Sequence, residues 1–368
     1  MAEILPVSAV EQDATDRLQH VLDDLVGTLG NLAALVGIEV HGRRRRYFSA
    51  GYADLQQTER ATEKHLFQIG SQTKTVVAVA LLLLERQGLI QLDSRVDHYL
   101  DLPIDRRITV RHLLMNTSGL GEYSMAIPPE RLDPRLPLEP RDLVALALPQ
   151  GQVFEPGARF DYSNTGWVIA AMLIEKVAAR PYAKVVRDAI GRPLGLRDTY
   201  IGAEAPTNRM IHGYLRSGAT SEFIDIAGTY HWAFGAGDAV SNLDDMLELF
   251  GALATESTRI GVGLTDLTAS VVKPSDTPYY PLSLGAQYGL GIERRAWAGA
   301  EVWGHPGSTI ACSSGSWCDI ARGVTITSCV THAVTMPIAA DFDIRYPRAQ
   351  LFSMALNTAY TLASEGKA

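Results

Sequence analysis

Ser71 and Lys74 lie three residues apart in the run Phe67-Gln68-Ile69-Gly70-Ser71-Gln72-Thr73-Lys74-Thr75, where a long apolar segment begins. On a helix that spacing places both side chains on one face, one turn apart, so the amine can reach the hydroxyl. A serine is a poor nucleophile until a neighbouring base takes its proton, and a lysine can be that base only where burial or nearby charge lowers its pKa. A helix start favours both needs, because its unpaired N–H groups stabilise an oxyanion and its positive end disfavours a charged lysine. The same pair also fits an N-cap serine followed by a solvated lysine.

Two further segments carry candidate groups. In Phe154-Glu155-Pro156-Gly157-Ala158-Arg159-Phe160-Asp161-Tyr162-Ser163-Asn164-Thr165-Gly166, a Pro-Gly turn leads through a short extended piece into a helix. A phenol at Tyr162 can relay a proton. Asn164, two residues on, points the same way in an extended segment, and its amide can hold both a lysine and a substrate carbonyl. Read structurally, Tyr162 is a packing aromatic and Asn164 a helix N-cap. The third segment, Trp303-Gly304-His305-Pro306-Gly307-Ser308-Thr309, leads into a strand. Its glycines, Gly307 included, would let a backbone edge approach a ligand, and the Ser308 amide could be an oxyanion donor. His305 reads equally as a structural or a functional histidine. Trp232 and Tyr123 are candidate cleft walls, with core packing as the other role open to each.

These residues need a scaffold. Leu18, Val21, Leu22, Leu25 and Leu29 recur at helical spacing over 11–29, which predicts an amphipathic helix. Residues 33–40 and 47–52 are β-prone and flank a four-arginine run, Arg43 to Arg46, giving a hairpin with a solvated, charged tip. The apolar body from Val76 to Leu84, closed by Gly88, predicts a buried helix at about half the ~20 residues of a membrane span. Helical patterns continue at 110–116, 140–148, 164–179, 182–190 and 242–253, and a last one covers 348–363. The stretch 121–142, with Pro128, Pro129, Pro134, Pro137 and Pro140, reads as an ordered, irregular loop. Strand patterns return at 288–293, 301–303, 309–317 and 323–331. The arrangement predicts one sheet built from the two ends of the chain, a second lobe inserted between them, and chemistry in the cleft where they meet.

The 368 residues suffice for such a two-lobed unit, and 46% hydrophobic with 20% charged residues is an ordinary globular composition. With 33 Lys and Arg against 41 Asp and Glu, the net charge of -8 offers no field to hold a polyanion, so no nucleic-acid partner is expected. The three cysteines, Cys312, Cys318 and Cys329, do not form a disulfide framework, and no secretory signal or membrane span is visible, so a cytoplasmic protein is expected. No zinc, Walker or dinucleotide motif stands in the chain, and no Gly-x-Ser-x-Gly elbow, so neither metal nor cofactor is expected.

The three segments, in this order and with these flanks, resemble the serine β-lactamase and penicillin-binding-protein superfamily. The likeness is greatest to its class C β-lactamase-like branch of DD-peptidases, D-aminopeptidases, D-amino-acid amidases, esterases and some acyltransferases. It extends over 67–74, 108–120, 156–175, 193–196 and 288–291. The resemblance implies an α/β (α+β) fold: an antiparallel sheet from the N- and C-terminal segments, flanked by helices, with an inserted all-helical lobe. The expected division is 1–75 with 285–368 as the sheet domain and 76–284 as the insert. Carried over by motif, it implies Ser71 as acylated nucleophile, Lys74 as base or proton shuttle and Tyr162 as the acid/base serving the leaving group. Asn164 would position the substrate, the amides of Ser71 and Ser308 would form the oxyanion hole, and His305 to Gly307 would be the third motif.

Many members have Lys-Thr-Gly there. Histidine in the first place also occurs in DD-peptidases and D-aminopeptidases. Pro306, however, lacks the hydroxyl that helps bind a substrate carboxylate, and it has no N–H to replace it. Penicillin hydrolysis and carboxypeptidase action are therefore expected to be weak. A serine hydrolase acting through an acyl-enzyme on an amide or ester of a small molecule or short peptide, D-configured ones included, fits better. The alternatives are an acyltransferase or peptide cyclase using the same acyl-enzyme and, behind these, a non-catalytic binding or sensing protein.

Overall fold

In a computed structural model of the chain, residues 8–28, 30–40, 45–127, 138–217, 222–229, 233–273, 286–297, 299–336 and 345–365 are described. The β-branched run of strand β1 (Ala33–Val40) alternates strictly: Ala34, Val36, Ile38 and Val40 face one core, Ala33 and Leu35 the other. Strand β2 (Arg46–Gly51) pairs antiparallel with it, so the expected hairpin is present. The later strands are β3 (Phe67–Gln68), β4 (Tyr200–Ile201), β5 (Tyr214–Ser217), β6 (Ile224–Asp225), β7 (Ala239–Ser241), β8 (Gln287–Tyr288), β9 (Glu293–Trp297), β10 (Ala300–Ser308), β11 (Cys312–Asp319), β12 (Val324–Thr331) and β13 (Ala333–Met336). Seven of them form an antiparallel sheet in the order β2-β1-β12-β11-β10-β9-β8, so the two ends of the chain build one sheet, joined where β1 pairs with β12.

Helix α1 (Ala9–Gly27) starts two residues earlier than its apolar pattern suggests, because the Ser8 hydroxyl caps it by accepting from the Glu11 amide at 3.1 Å. Its buried Leu18, Leu22 and Leu25 cover one sheet face. The chain returns to that face at its end with Leu351, Phe352 and Leu356, against Val302, Trp317 and Ile326. The other face meets the insert. There α2 (Thr73–Arg86) is buried almost all round and packs against α5 (Asn164–Ala178), which in turn meets α3 (Val110–Leu114) and α4 (Pro140–Ala147), in one continuous core. Helices α6 (Tyr182–Val186) and α7 (Arg192–Leu194) follow, then α8 (Leu243–Ala254) and α9 (Leu264–Thr268), and α10 (Arg345–Glu365) closes the chain. Helix α8 lies close on β1, where a Cβ on Gly37 would stand 3.0 Å from Leu247 Cδ1.

Several expectations need correction. The insert is not all-helical: β4 to β7 lie within it, and β7 pairs with both β3 and β4, fastening the chain just before Ser71. The single strand expected over 288–293 is broken by a turn in which the Gly289 amide donates to the Ile292 carbonyl at 2.8 Å and Gly291 takes a φ of +66°. Arg45 is not solvated; it is clasped by Glu39, Asp244 and Glu248. Trp232 and residues 128–137 of the Pro-rich stretch lie outside the described residues. Among the described residues, no helix is long and apolar enough to cross a membrane. All three cysteines are buried free thiols.

Candidate active site

Ser71 sits in a 3-10 turn, Gly70–Gln72, that runs directly into α2. The turn is anchored on three sides. Ile69 donates its amide to the Ala239 carbonyl at 3.0 Å, and the Thr73 hydroxyl donates to the Gly70 carbonyl at 2.7 Å. Ser314, on β11, donates to the Ile69 carbonyl at 3.1 Å. Gly70 holds a φ of +53°, and a Cβ there would stand 2.7 Å from the Ser308 backbone nitrogen, so β10 abuts the turn with no room for a side chain.

Lys74, one turn on, has no exposure, and its Nζ donates to Ser71 Oγ at 3.0 Å, Asn164 Oδ1 at 2.7 Å and the Ala236 carbonyl at 2.6 Å. Burial drives its pKa down to about 7, against the pull of Glu122 and Asp238, which favour the charged form. At neutral pH a large share of Lys74 is therefore the free amine. The Tyr162 ring lies under Nζ at 4.9 Å, and its hydroxyl hydrogen-bonds Ser71. Burial pushes the phenol well above its usual range despite the Ser71 bond, so Tyr162 keeps its proton. The site thus holds a serine, an amine able to accept a proton and a phenol able to donate one.

Asn164 opens α5, where its backbone amide and side-chain Nδ2 donate to the Glu122 carboxylate at 2.5 and 3.2 Å. With Nδ2 so engaged, Oδ1 is turned to Lys74. The segment carrying Tyr162 is clamped on both sides of the ring: Asp161 donates its amide to the Asn116 carbonyl at 2.8 Å, and Ser163 donates its hydroxyl to the Gly121 carbonyl at 3.1 Å. Asn116 takes a φ of +53° to do this, held by the Trp167 indole at 3.0 Å.

The third segment is placed differently from its expectation. Residues 304–308 lie within β10, paired with β11 from Trp303 to Ser308, rather than before a strand. Pairing with β9 ends at Gly304, so Pro306 falls where β10 has a strand partner on one side only. The glycines admit protein, not ligand: a Cβ on Gly307 would stand 1.9 Å from the Ile69 carbonyl oxygen, and one on Gly304 2.0 Å from that of Ser316. His305 is fully buried and lines no cleft. Its Nδ1 lies 2.6 Å from the Pro306 carbonyl, which can only accept, so Nε2 accepts from the Tyr288 hydroxyl at 3.0 Å. Burial, with Lys74 nearby, lowers its pKa to about 3, so the ring is neutral. Tyr123 is 2% exposed and is a packing residue.

Sequence reasoning missed Glu122, Asp238 and the Ala236 carbonyl. No spacing marks them, because their tie to Lys74 exists only once two separate loops have met α2.

Comparison with known proteins bears on the family and the fold. The Beta-lactamase family model matches residues 18–343. Penicillin-binding protein 4* of Bacillus subtilis is 32% identical over 157 residues, covering 42% of this chain and 35% of that protein. The D-aminopeptidase of Brucella anthropi is 27% identical over 263 residues, covering 70% of this chain and 48% of that protein. The chain thus spans half or less of the length of these two relatives. Solved structures match over nearly their whole length. The D-amino acid amidase from Ochrobactrum anthropi SV3 superposes with a TM-score of 0.80 at 25% identity, covering 95% of this chain and 99% of that one. A D-stereospecific amidohydrolase from Streptomyces sp. gives 0.73 at 30% identity, covering 89% of this chain and 95% of that one. With the family model matched from the first helix through the last sheet strand, and the serine, lysine and tyrosine of its motifs gathered at one point, the chain belongs to the Beta-lactamase family.

Proposed function

We propose that the protein is a serine hydrolase that splits an amide or ester of a small molecule or short peptide through an acyl-enzyme on Ser71. The observation that carries this is the 3.0 Å contact between the Ser71 hydroxyl and Lys74 Nζ, an amine whose pKa burial lowers to about 7. As Ser71 Oγ attacks the substrate carbonyl carbon, its proton passes to the Lys74 amine. The oxyanion forms beside the Ser71 and Ser308 amides, whose chains are pressed together at Gly70. Collapse of the tetrahedral adduct breaks the bond to the leaving amine or alcohol, which takes its proton from Tyr162, and Lys74 restores that proton to the phenol. Water then attacks the Ser71 ester carbonyl and gives its proton to the Lys74 amine; the bond from the acyl carbon to Ser71 Oγ breaks, Oγ takes that proton back, and the acid product leaves. Asn164 holds Lys74 and has an amide at hand for the substrate.

The proposed substrate class is supported by Pro306, which puts no hydroxyl on β10 for a substrate carboxylate, and by the likeness to an amidase and a D-aminopeptidase. The test is turnover of D- and L-alanine p-nitroanilides, p-nitrophenyl esters and benzylpenicillin. Hydrolysis of an ester or a D-amide at least tenfold faster in kcat/KM than of benzylpenicillin is expected, and benzylpenicillin as the best substrate would overturn it. Addition of an amine acceptor separates the acyltransferase alternative, which would form the aminolysis product in preference to the acid.

A further inference from the structure

Asp238 is a carboxyl 3% exposed, and the mechanism above gives it no task. It ends a turn, 233–238, that leads into β7. Within the turn the Ala236 and Gly237 amides both donate to the Ala233 carbonyl at 2.7 Å, and the Gly235 amide donates to Asp238 Oδ1 at 3.1 Å. Gly235 takes a φ of +67°, and a Cβ on it would stand 2.3 Å from Ala171 Cβ, so the turn is pressed onto α5. From α6 the Tyr182 hydroxyl donates to the same Oδ1, and the Gly202 amide donates to the Asp238 carbonyl at 2.9 Å. What this anchored turn presents to the site is the Ala236 carbonyl, 2.6 Å from Lys74 Nζ. The donors to the Asp238 carboxyl, the Tyr182 hydroxyl and the Gly235 and Asp238 amides, are all uncharged. The Lys74 cation is the opposite charge that stabilises its ionised form.

We propose that Asp238 is a positioning residue for Lys74: its carboxylate closes the turn that brings the Ala236 carbonyl to Nζ, and its charge favours the protonated lysine. Burial raises the Asp238 pKa to about 7, against its bonds to Tyr182 and Gly235, so carboxyl and amine titrate in the same range. The other groups that bear on Lys74 are the Glu122 carboxylate, the Tyr162 ring and the neutral His305. Tyr182 and Tyr123 are the phenols that feel Asp238, and both are raised well above the usual range by burial. Removal of the Asp238 charge leaves Glu122 as the carboxylate holding a proton on Lys74, so Lys74 releases its proton at lower pH.

The inference rests on Lys74 as the base of the proposed hydrolase, and its test reads the lysine directly. The protein labelled with 13C at lysine Cε is titrated by NMR, with the Lys74 resonance assigned through Lys74→Met. In Asp238→Asn, which keeps an oxygen for the Gly235 amide, the Lys74 midpoint is expected to fall by about one pH unit. The acid limb of kcat/KM should move down with it while KM changes less than about twofold. Tyr182→Phe removes a bond that keeps the carboxyl ionised, and it should shift the midpoint the same way by roughly half as much. It serves as the second variant should Asp238→Asn fail to fold. A Lys74 midpoint unchanged in a folded variant, or one that moves up, would overturn the proposal. Absence of a Ser71 acyl adduct in the wild type would instead remove the hydrolase mechanism and leave the titration to decide the role of Asp238.

Discussion

Lys74 donates to three acceptors, and none of them is a carboxylate in contact with it. That arrangement satisfies the ammonium without neutralising it, so burial still depresses its pKa from 10.5 to about 7. The cost falls on stability. Below about pH 7 the lysine is charged in both folded and unfolded chains and the full burial penalty applies. Between about 7 and 10.5 the unfolded chain binds the additional proton, and stability rises with pH. Lys74→Met should therefore abolish turnover yet raise stability by about 1–3 kcal/mol at pH 6. Thermal melts should show that gain shrinking toward pH 10; a variant less stable than wild type at pH 6 would contradict it. Tyr162→Phe should lower the acylation rate by about 10²–10⁴, measured as single-turnover kinetics, because the leaving group loses its proton donor. Spacing within one helix turn or one extended segment made Ser71 with Lys74, and Tyr162 with Asn164, legible as pairs, whereas their meeting in one site was implied by the family resemblance alone. Glu122 and Asp238 were not legible, since a lone carboxylate in a loop looks the same whether it faces water or a buried amine.

At the scale of elements, the decisive contact is the backbone of β10 against the Gly70–Gln72 turn. Gly307 leaves a Cβ no space, with the Ile69 carbonyl oxygen 1.9 Å from where it would stand. Gly307→Ala should thus push the turn off the strand, cost roughly 2–4 kcal/mol and lower activity together with it. Gly27→Ala, at the end of α1 with nothing within 4 Å of the new atom, should stay within about 0.5 kcal/mol of wild type. Chemical denaturation of both variants measures the contrast, and equal stabilities would refute the packing argument. The sequence pointed to a close approach at Gly304 and Gly307 but not to its partner, because a glycine signals missing volume without saying what fills it. Gly-His-Pro-Gly also punctuates like a loop. Its place in β10 depends on pairing with β11, a contact that local propensity does not contain.

Over the whole molecule, the ends of the chain close the sheet, while Lys74 on α2 and Asn164 on α5, with Tyr162 just before it, come from the stretch between them. Arg45 ties the two together near the edge of the sheet: it follows β1, bonds Glu39 on that strand, and reaches Asp244 and Glu248 on α8. Hydrogen bonds from Tyr47, Arg45 and Arg259 hold the carboxyls of Asp244 and Glu248 below their ordinary range, against a burial that would raise them. Their contribution is present above the unfolded carboxylate pKa and lost as pH falls through the lower folded value. Arg45→Met should destabilise by about 1–3 kcal/mol at pH 7, with the gap to wild type closing below pH ~4. Urea denaturation at the two pH values checks this, and a gap that persists in acid would contradict it. A four-arginine run looks solvated in sequence; two of the three acids that Arg45 meets come from α8, far along the chain.

The central claim is an acyl group on Ser71, and intact-protein mass spectrometry after brief exposure to p-nitrophenyl esters, alanine p-nitroanilides and benzylpenicillin tests it most directly. A mass increment in wild type that maps to the Ser71 peptide and is lost in Ser71→Ala is the predicted result. An adduct that survives in Ser71→Ala, or a folded protein that neither acylates nor turns over any of the panel, would contradict it.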